Sequence, residues 1–197
     1  EGGWANRAIV EAFAEYARVC FQAFGDRVKL WVTINEPKYY AYCSNMVGNY
    51  PPNHKLDFDR YFRTLYHEAL ASARAAAVYH QLKLDGQIGI VHDSSNVEVA
   101  PQTKQPERIR MIADLFYNRL ILDTAIRGEL PGMLVPFLQE NGIDTSYIQS
   151  SDALIFAQGK VDFLGLNVYN RFYITDYTEG ETEVFHNNQG AGSKAKE

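Results

Sequence analysis

No apolar run in the 197 residues approaches the roughly 20 needed to cross a bilayer as a helix. The opening Glu-Gly-Gly-Trp also lacks the basic-then-apolar pattern of a secretory leader, so no membrane partner is expected. Positive charge is in deficit. With 19 Lys and Arg against 24 Asp and Glu, the formal net charge is -5, and no Lys/Arg tract or zinc-finger spacing is present, which argues against nucleic acid. Cysteine is scarce: Cys20 and Cys43 form no Cys-x-x-Cys pair and no disulfide framework, and a reducing, cytoplasmic setting fits them. There is no His-Glu-x-x-His and no Cys/His cluster, so no metal is expected. No Gly-x-Gly-x-x-Gly follows a strand and no phosphate-binding Gly-Lys-Ser/Thr occurs, so no cofactor is expected either. An initiator Met is also missing, and Gly2-Gly3 leads directly into a helix with no strand before it, as in a piece of a longer polypeptide.

What is present is ordinary for a globular domain, with 46% hydrophobic and 22% charged residues in 22.4 kDa. Apolar positions recur at three and four from Arg7 to Phe24, which predicts an amphipathic helix. Residues 28 to 35, rich in Val, Ile, Trp and Thr, predict a strand covered on both faces. A long loop around Pro51-Pro52, a helix from Asp59 to Lys83 and a short strand at 87 to 91 come next. The stretch 94 to 106 reads as a second long loop, ending at Pro106 in the first turn of a helix that continues to Arg127. "VDFLGLNVY" at 161 to 169 predicts a third buried strand, and residues 176 to 197 read as a loop excursion or frayed tail. Helices alternating with strands, joined by long connections, predict an α/β fold with a parallel sheet and binding loops after the strand ends.

Polar groups gather at those strand ends. Asn35-Glu36 closes the first strand, and Pro37 is expected to hold Glu36 extended at its mouth. His92-Asp93 closes the second, and Asn167-x-Tyr169-Asn170 closes the third. One protonatable carboxyl group among fixed hydrogen-bond partners suits glycosidic cleavage, in which the leaving oxygen takes a proton while a second carboxylate balances charge on the sugar ring. Phosphoryl transfer would need several carboxylates for magnesium, and no such triplet is evident. Tyr39, Tyr40 and Tyr42 follow the Glu and could cover the apolar face of a sugar, although most of the 13 Tyr and 11 Phe must build the core. Each residue also has a structural alternative: Glu36 as a surface ion pair, His92 as a satisfied core histidine, Trp31 as packing against outer helices.

The segments "WVTINEP", "FGDRVKLW", "GQIGIV", "LFYNRLILD" with "GELPG", and "DFLGLNVY" together resemble glycoside hydrolase family 1, the retaining β-glycosidases built on a (β/α)8 TIM barrel. The resemblance runs over essentially the whole chain and implies that residues 1–197 are the central portion of one barrel, about strands four to six, incomplete in this chain. It implies Glu36 as general acid/base, Asn35 as a ligand of the sugar 2-hydroxyl, and Tyr169 in the position that hydrogen-bonds the nucleophile. Asn167, Tyr39, His92 and Asp93 become candidate substrate contacts. Val168, Asn170 and Asp93 depart from the family pattern, Asp93 standing where Asn is usual. The tail "YTEGETEVFHNNQG" is similar to a stretch in bacterial members acting on 6-phospho-β-glycosides.

The family's nucleophile, a Glu before Asn-Gly at the end of strand seven, has no counterpart here; Glu140 in "QENGI" falls in a stretch that resembles a loop before the family's strand six. A retaining mechanism needs two carboxyl groups about 5 to 5.5 Å apart, so the 197-residue chain alone is expected to be inactive. Its expected partners are a small carbohydrate and the remaining segments of the same barrel, with homo-oligomerisation left open. The leading expectation is hydrolysis of β-glucosides or 6-phospho-β-glucosides. An unphosphorylated β-glucosidase or β-galactosidase and an inactive carbohydrate-binding fragment are the alternatives.

Overall fold

The computed structural model describes residues 2–175, and the expected tail excursion at 176–197 lies outside the described residues. Three parallel strands, β1 (Leu30–Asn35), β2 (Gln87–Val99) and β3 (Phe163–Ile174), lie in the order β1-β2-β3. Helices α1 (Ala8–Phe24), α2 (Pro37–Tyr42), α3 (Phe58–Gln81), α4 (Pro106–Asp114), α5 (Leu120–Leu122), α6 (Leu134–Glu140) and α7 (Asp152–Gln158) complete it. This is an α/β fold whose parallel strand core corresponds to part of a (β/α)8 barrel.

Helix α1 forms because Val10, Ala14, Ala17 and Phe21 recur on one face and bury together, and it ends where the Gly25 N–H bonds the Phe21 carbonyl. Helix α3 is capped by Asp57, whose carboxylate accepts from the Arg60 N–H at 3.0 Å. It is buried nearly all round, with small residues Ala69, Ala71, Ala73, Ala75 and Ala76 allowing α1, α7 and the sheet to approach. The main core joins Tyr61, Phe62, Leu65, Tyr66 and Leu70 of α3 to Ile90, Leu120, Leu138 and Phe156. At the rim, Asp152 is fully buried, paired with Arg7 and accepting from Tyr66 at 2.7 Å, which ties α7 to α1 and α3.

Alternation divides the sheet. Thr33 reaches Ser72 on α3 at 2.7 Å and Trp31 packs edge-on against Phe21 of α1, as expected of a tryptophan facing the outer helices. Leu30 and Val32, of the opposite parity, remain exposed. On β3, Leu166 and Val168 are exposed as well, so both outer strands of the sheet carry uncovered apolar side chains among the described residues.

Three expectations are corrected. Residues 94–99 are strand, not loop, because Asn96–Val99 pair with Arg171–Ile174 after a register slip at Ser94/Asn96. The segment after Glu36 is not loop at first: α2 starts at Pro37, where the missing N–H costs nothing, and a wider π-type turn carries the helix through Cys43–Val47. Glu36 itself is not extended but left-handed, with φ 52° and ψ 53°. By contrast the helix expected up to Arg127 is present, α4 continuing through two wide turns at Leu115–Arg119 and Asp123–Arg127.

Gly159, between α7 and β3, sits so close to α3 that a Cβ there would stand 2.1 Å from the Ala73 carbonyl oxygen, a backbone atom that cannot rotate away. Gly159→Ala is expected to cost about 1–3 kcal/mol, read as a lowered midpoint in thermal unfolding. An unchanged midpoint would contradict this packing.

Candidate active site

Glu36 is held from both ends of its backbone. Its N–H donates to the Val91 carbonyl of β2 at 2.8 Å, and its carbonyl accepts from the Tyr40 N–H of α2 at 3.2 Å. A left-handed non-glycine residue costs on the order of 1–3 kcal/mol and persists only where its surroundings hold it. The result is a strand-to-helix corner that turns the carboxyl group across the strand ends. There Asn167 Nδ2 and Tyr169 OH, both from β3, each donate to Glu36 Oε1 at 2.7 Å. The interaction with the carboxylate raises the pKa of the Tyr169 phenol, chiefly through that hydrogen bond. No described side chain bonds Oε2 of Glu36. Two donors on Oε1 make it the acceptor oxygen, so a proton on this carboxyl group resides on Oε2.

A cavity of about 550 Å³ opens beside Glu36, lined by Tyr39, Tyr42, Tyr117, Tyr169 and Phe172 and, at its polar end, by Lys38, Asp93 and Ser95. Tyr117 and Phe172 stack with centroids 5.0 Å apart and 7° between planes, making one wall rigid and flat. Tyr39 also meets Tyr50 edge-on, with centroids 6.1 Å apart.

Of the residues expected from sequence, the structure brings Glu36, Asn167 and Tyr169 into direct contact and sets Tyr39 and Asp93 on the cavity wall. Asn35 is exposed at the last position of β1, beside Glu36 but outside the cavity lining. His92 is corrected. It points to the opposite face of β2 from Asp93, fully buried, with Nε2 3.3 Å from Asn118 Oδ1. Burial lowers its pKa, which favours the neutral ring. Tyr40 also turns away, its OH 3.4 Å from the Pro51 carbonyl. Asp93 forms a buried ion pair with Lys38. Lys38, Ser95, Tyr117 and Phe172 were not singled out by sequence reasoning; the signal for Lys38 is its position two residues after Glu36 on a helix that the sequence had concealed.

A second carboxyl group lies deeper. Glu68 of α3 is buried, its Oε2 has no hydrogen-bond partner among the described residues, and burial with the added charge of Asp93 raises its pKa well above the usual carboxylate range. It is therefore neutral where ordinary carboxylates are ionised.

A parallel α/β sheet with a carboxyl group clamped at its strand ends and an aromatic-lined cavity beside it is the kind of place where barrel proteins bind small molecules. The chain belongs to glycosyl hydrolase family 1, whose model matches residues 1–197. It is 32% identical over 195 residues to a 6-phospho-beta-galactosidase of Clostridium acetobutylicum, covering 96% of this chain and 41% of that protein. It is 39% identical over 170 residues to the 6-phospho-beta-glucosidase GmuD of Bacillus subtilis, covering 85% and 36%. Among solved structures, the family 1 β-glucosidase of Thermotoga maritima superposes with a TM-score of 0.74 at 36% identity, covering 87% of this chain and 38% of that one. The chain thus spans about two-fifths of the length of the relatives it matches.

Because Glu68 holds a proton in the folded state that it would lose when unfolded, its contribution to stability is complete below the ordinary Glu pKa of about 4.3. That contribution fades as pH rises toward the elevated folded value. Glu68→Gln, which cannot ionise, is expected to lose less thermal stability than the parent as pH is raised above that range. Parallel curves for the two proteins would contradict a neutral Glu68.

Proposed function

We propose that this chain supplies the acid/base part of a retaining glycosidase that hydrolyses β-glucosides or 6-phospho-β-glucosides. In this reading it provides strands four to six of the barrel, and the nucleophile carboxylate comes from polypeptide outside this chain. The observation that carries the reading is the paired donation of Asn167 and Tyr169 to one oxygen of Glu36, which leaves the other oxygen to carry a proton at the cavity edge.

The chemistry follows from that arrangement. In the first step the Oε2 proton moves to the glycosidic oxygen as the bond to the anomeric carbon breaks and the nucleophile bonds to that carbon. The leaving group departs as a neutral alcohol, and Glu36 is left as a carboxylate stabilised by the Asn167 and Tyr169 donors. In the second step the same carboxylate takes a proton from water as the water oxygen attacks the anomeric carbon and displaces the nucleophile. Asn35, next in the chain to Glu36, is placed in this reading to grip a sugar hydroxyl, and Tyr39 to cover an apolar sugar face.

Matches to proteins named 6-phospho-beta-galactosidase, 6-phospho-beta-glucosidase and beta-glucosidase keep both phosphorylated and free sugars within the substrate class. The exposed Leu30, Val32, Leu166 and Val168 on the outer strands support completion by further strands and helices of the same barrel. The two cysteines are unpaired, which supports a reducing, cytoplasmic setting. None of the described helices is long and apolar enough to cross a membrane.

In the completed barrel, Glu36→Ala is expected to slow hydrolysis of aryl glycosides with poor leaving groups by about 10²–10⁴-fold. Dinitrophenyl glycosides should be affected far less, and azide should restore part of the rate. Equal losses for all leaving groups without azide rescue would remove Glu36 from the acid/base role. Paired assays with phosphorylated and unphosphorylated nitrophenyl glycosides then assign the sugar class.

A further inference from the structure

We propose that the buried Lys38–Asp93 ion pair is a positioning device for Glu36, fixing the corner that aims its proton-carrying oxygen at the leaving group. The proposal rests on the acid/base reading of Glu36 given above and adds residues to it.

Strand β2 grips the chain on both sides of the strained residue. Before the corner, the Val91 carbonyl holds the Glu36 N–H, two positions upstream of Asp93 on the same strand. After the corner, the Asp93 carboxylate holds the Lys38 ammonium, two positions downstream of Glu36 on the first turn of α2. The left-handed residue is thus spanned by two anchors on one strand, and only the second involves side chains that can be altered. Lys38 is 6% exposed and Asp93 4%, unusual burial for two charged residues that a surface pair does not need. The ammonium is further fixed by donation to Ser95 Oγ at 3.2 Å and by the Tyr117 ring, whose centroid lies 5.5 Å from Nζ. Ser95 is itself locked, since its N–H and carbonyl both bond the Asn118 side chain.

The surroundings explain why a pair, and not a lone lysine, occupies this place. Burial raises the pKa of Asp93, and the Lys38 charge opposes that rise. Glu68 of α3, whose pKa burial and Asp93 raise, favours its neutral form, and so does His92, whose pKa burial lowers although its Nδ1 lies 3.9 Å from Asp93 Oδ1. A buried pair of this kind is weak evidence for stability, because an apolar pair of similar size often serves as well. Its worth here is directional. An ion pair fixes the rotation of the α2 turn relative to β2, and with it the direction of the Glu36 side chain, to the accuracy that proton transfer needs.

The test is made in the completed barrel with Lys38→Met, which keeps the side-chain length and removes the ammonium, and with the double variant Lys38→Met/Asp93→Leu, which also removes the stranded carboxylate. Thermal unfolding is measured for each, and kcat/KM is measured with phenyl and with dinitrophenyl glycosides. The expected result is a loss of about tenfold or more with the phenyl substrate and of no more than about threefold with the dinitrophenyl substrate, in whichever variants fold. Equal losses on both substrates would mean that the pair merely maintains the fold. Retained activity on both in the double variant would mean that packing suffices. Either outcome overturns the proposal. Glu36→Ala assayed in parallel separates the two ideas. If it lacks leaving-group dependence, the acid/base reading itself fails. If it shows that dependence and the Lys38 variants do not, only the positioning role fails.

Discussion

The arrangement of this molecule depends on a single residue held in an unfavourable backbone conformation. Glu36 is left-handed although it carries a side chain, and an extended residue there would simply continue β1. The left-handed corner instead ends the strand and starts α2 at Pro37, bringing the carboxyl group back across the strand ends to Asn167 and Tyr169 of β3. The strain is small beside the interactions opposing its release. A backbone hydrogen bond to Val91, the α2 hydrogen bond from Tyr40 and two short bonds to the carboxylate each contribute on the order of 1 kcal/mol or more.

This corner couples the sheet to the chemistry. Strand β2 lies between β1 and β3 and touches both partners of the site: it anchors the Glu36 backbone through Val91, and it sets the register that brings Asn167 level with Asp93. The order β1-β2-β3 therefore places a carboxyl group from one outer strand within reach of donors from the other, across the curvature of the sheet. Behind that curvature stand α3 and its run of small residues, which let the helix lie close to the strands. Glu68 is the exception in that layer, tolerated because it keeps its proton.

Much of the fold was legible in the sequence because its signals are local. The spacing of Val10, Ala14, Ala17 and Phe21 marked α1, and the β-branched run before Asn35 marked β1. The second half of β2 was not legible: Val97 and Val99 alternate, but Ser94, Ser95 and Asn96 read as loop, and only pairing with Arg171–Ile174 of β3 makes them strand. Helix α2 was hidden for a related reason, since a proline beside tyrosines suggests a turn until the preceding residue is seen to be left-handed. At the site, Glu36, Asn167 and Tyr169 stood out in the strand-end pattern but their mutual contact did not: the resemblance puts the Tyr169 hydroxyl on the nucleophile, and here it donates to Glu36. His92 was misassigned because consecutive strand residues face opposite ways, and the parity of Asp93 could not be known in advance. Lys38 was invisible because its meaning comes from Asp93, distant in sequence and adjacent only in the folded sheet.

The central claim is that Glu36 delivers its proton from Oε2 while β3 holds Oε1. A crystal structure of the completed barrel with a sugar-like inhibitor, one whose basic nitrogen stands where the glycosidic oxygen would be, tests it most directly. The predicted result is Oε2 within about 2.6–3.2 Å of that nitrogen, with Asn167 and Tyr169 still on Oε1. A carboxyl group turned away from the inhibitor, with another acid contacting the nitrogen, would contradict it.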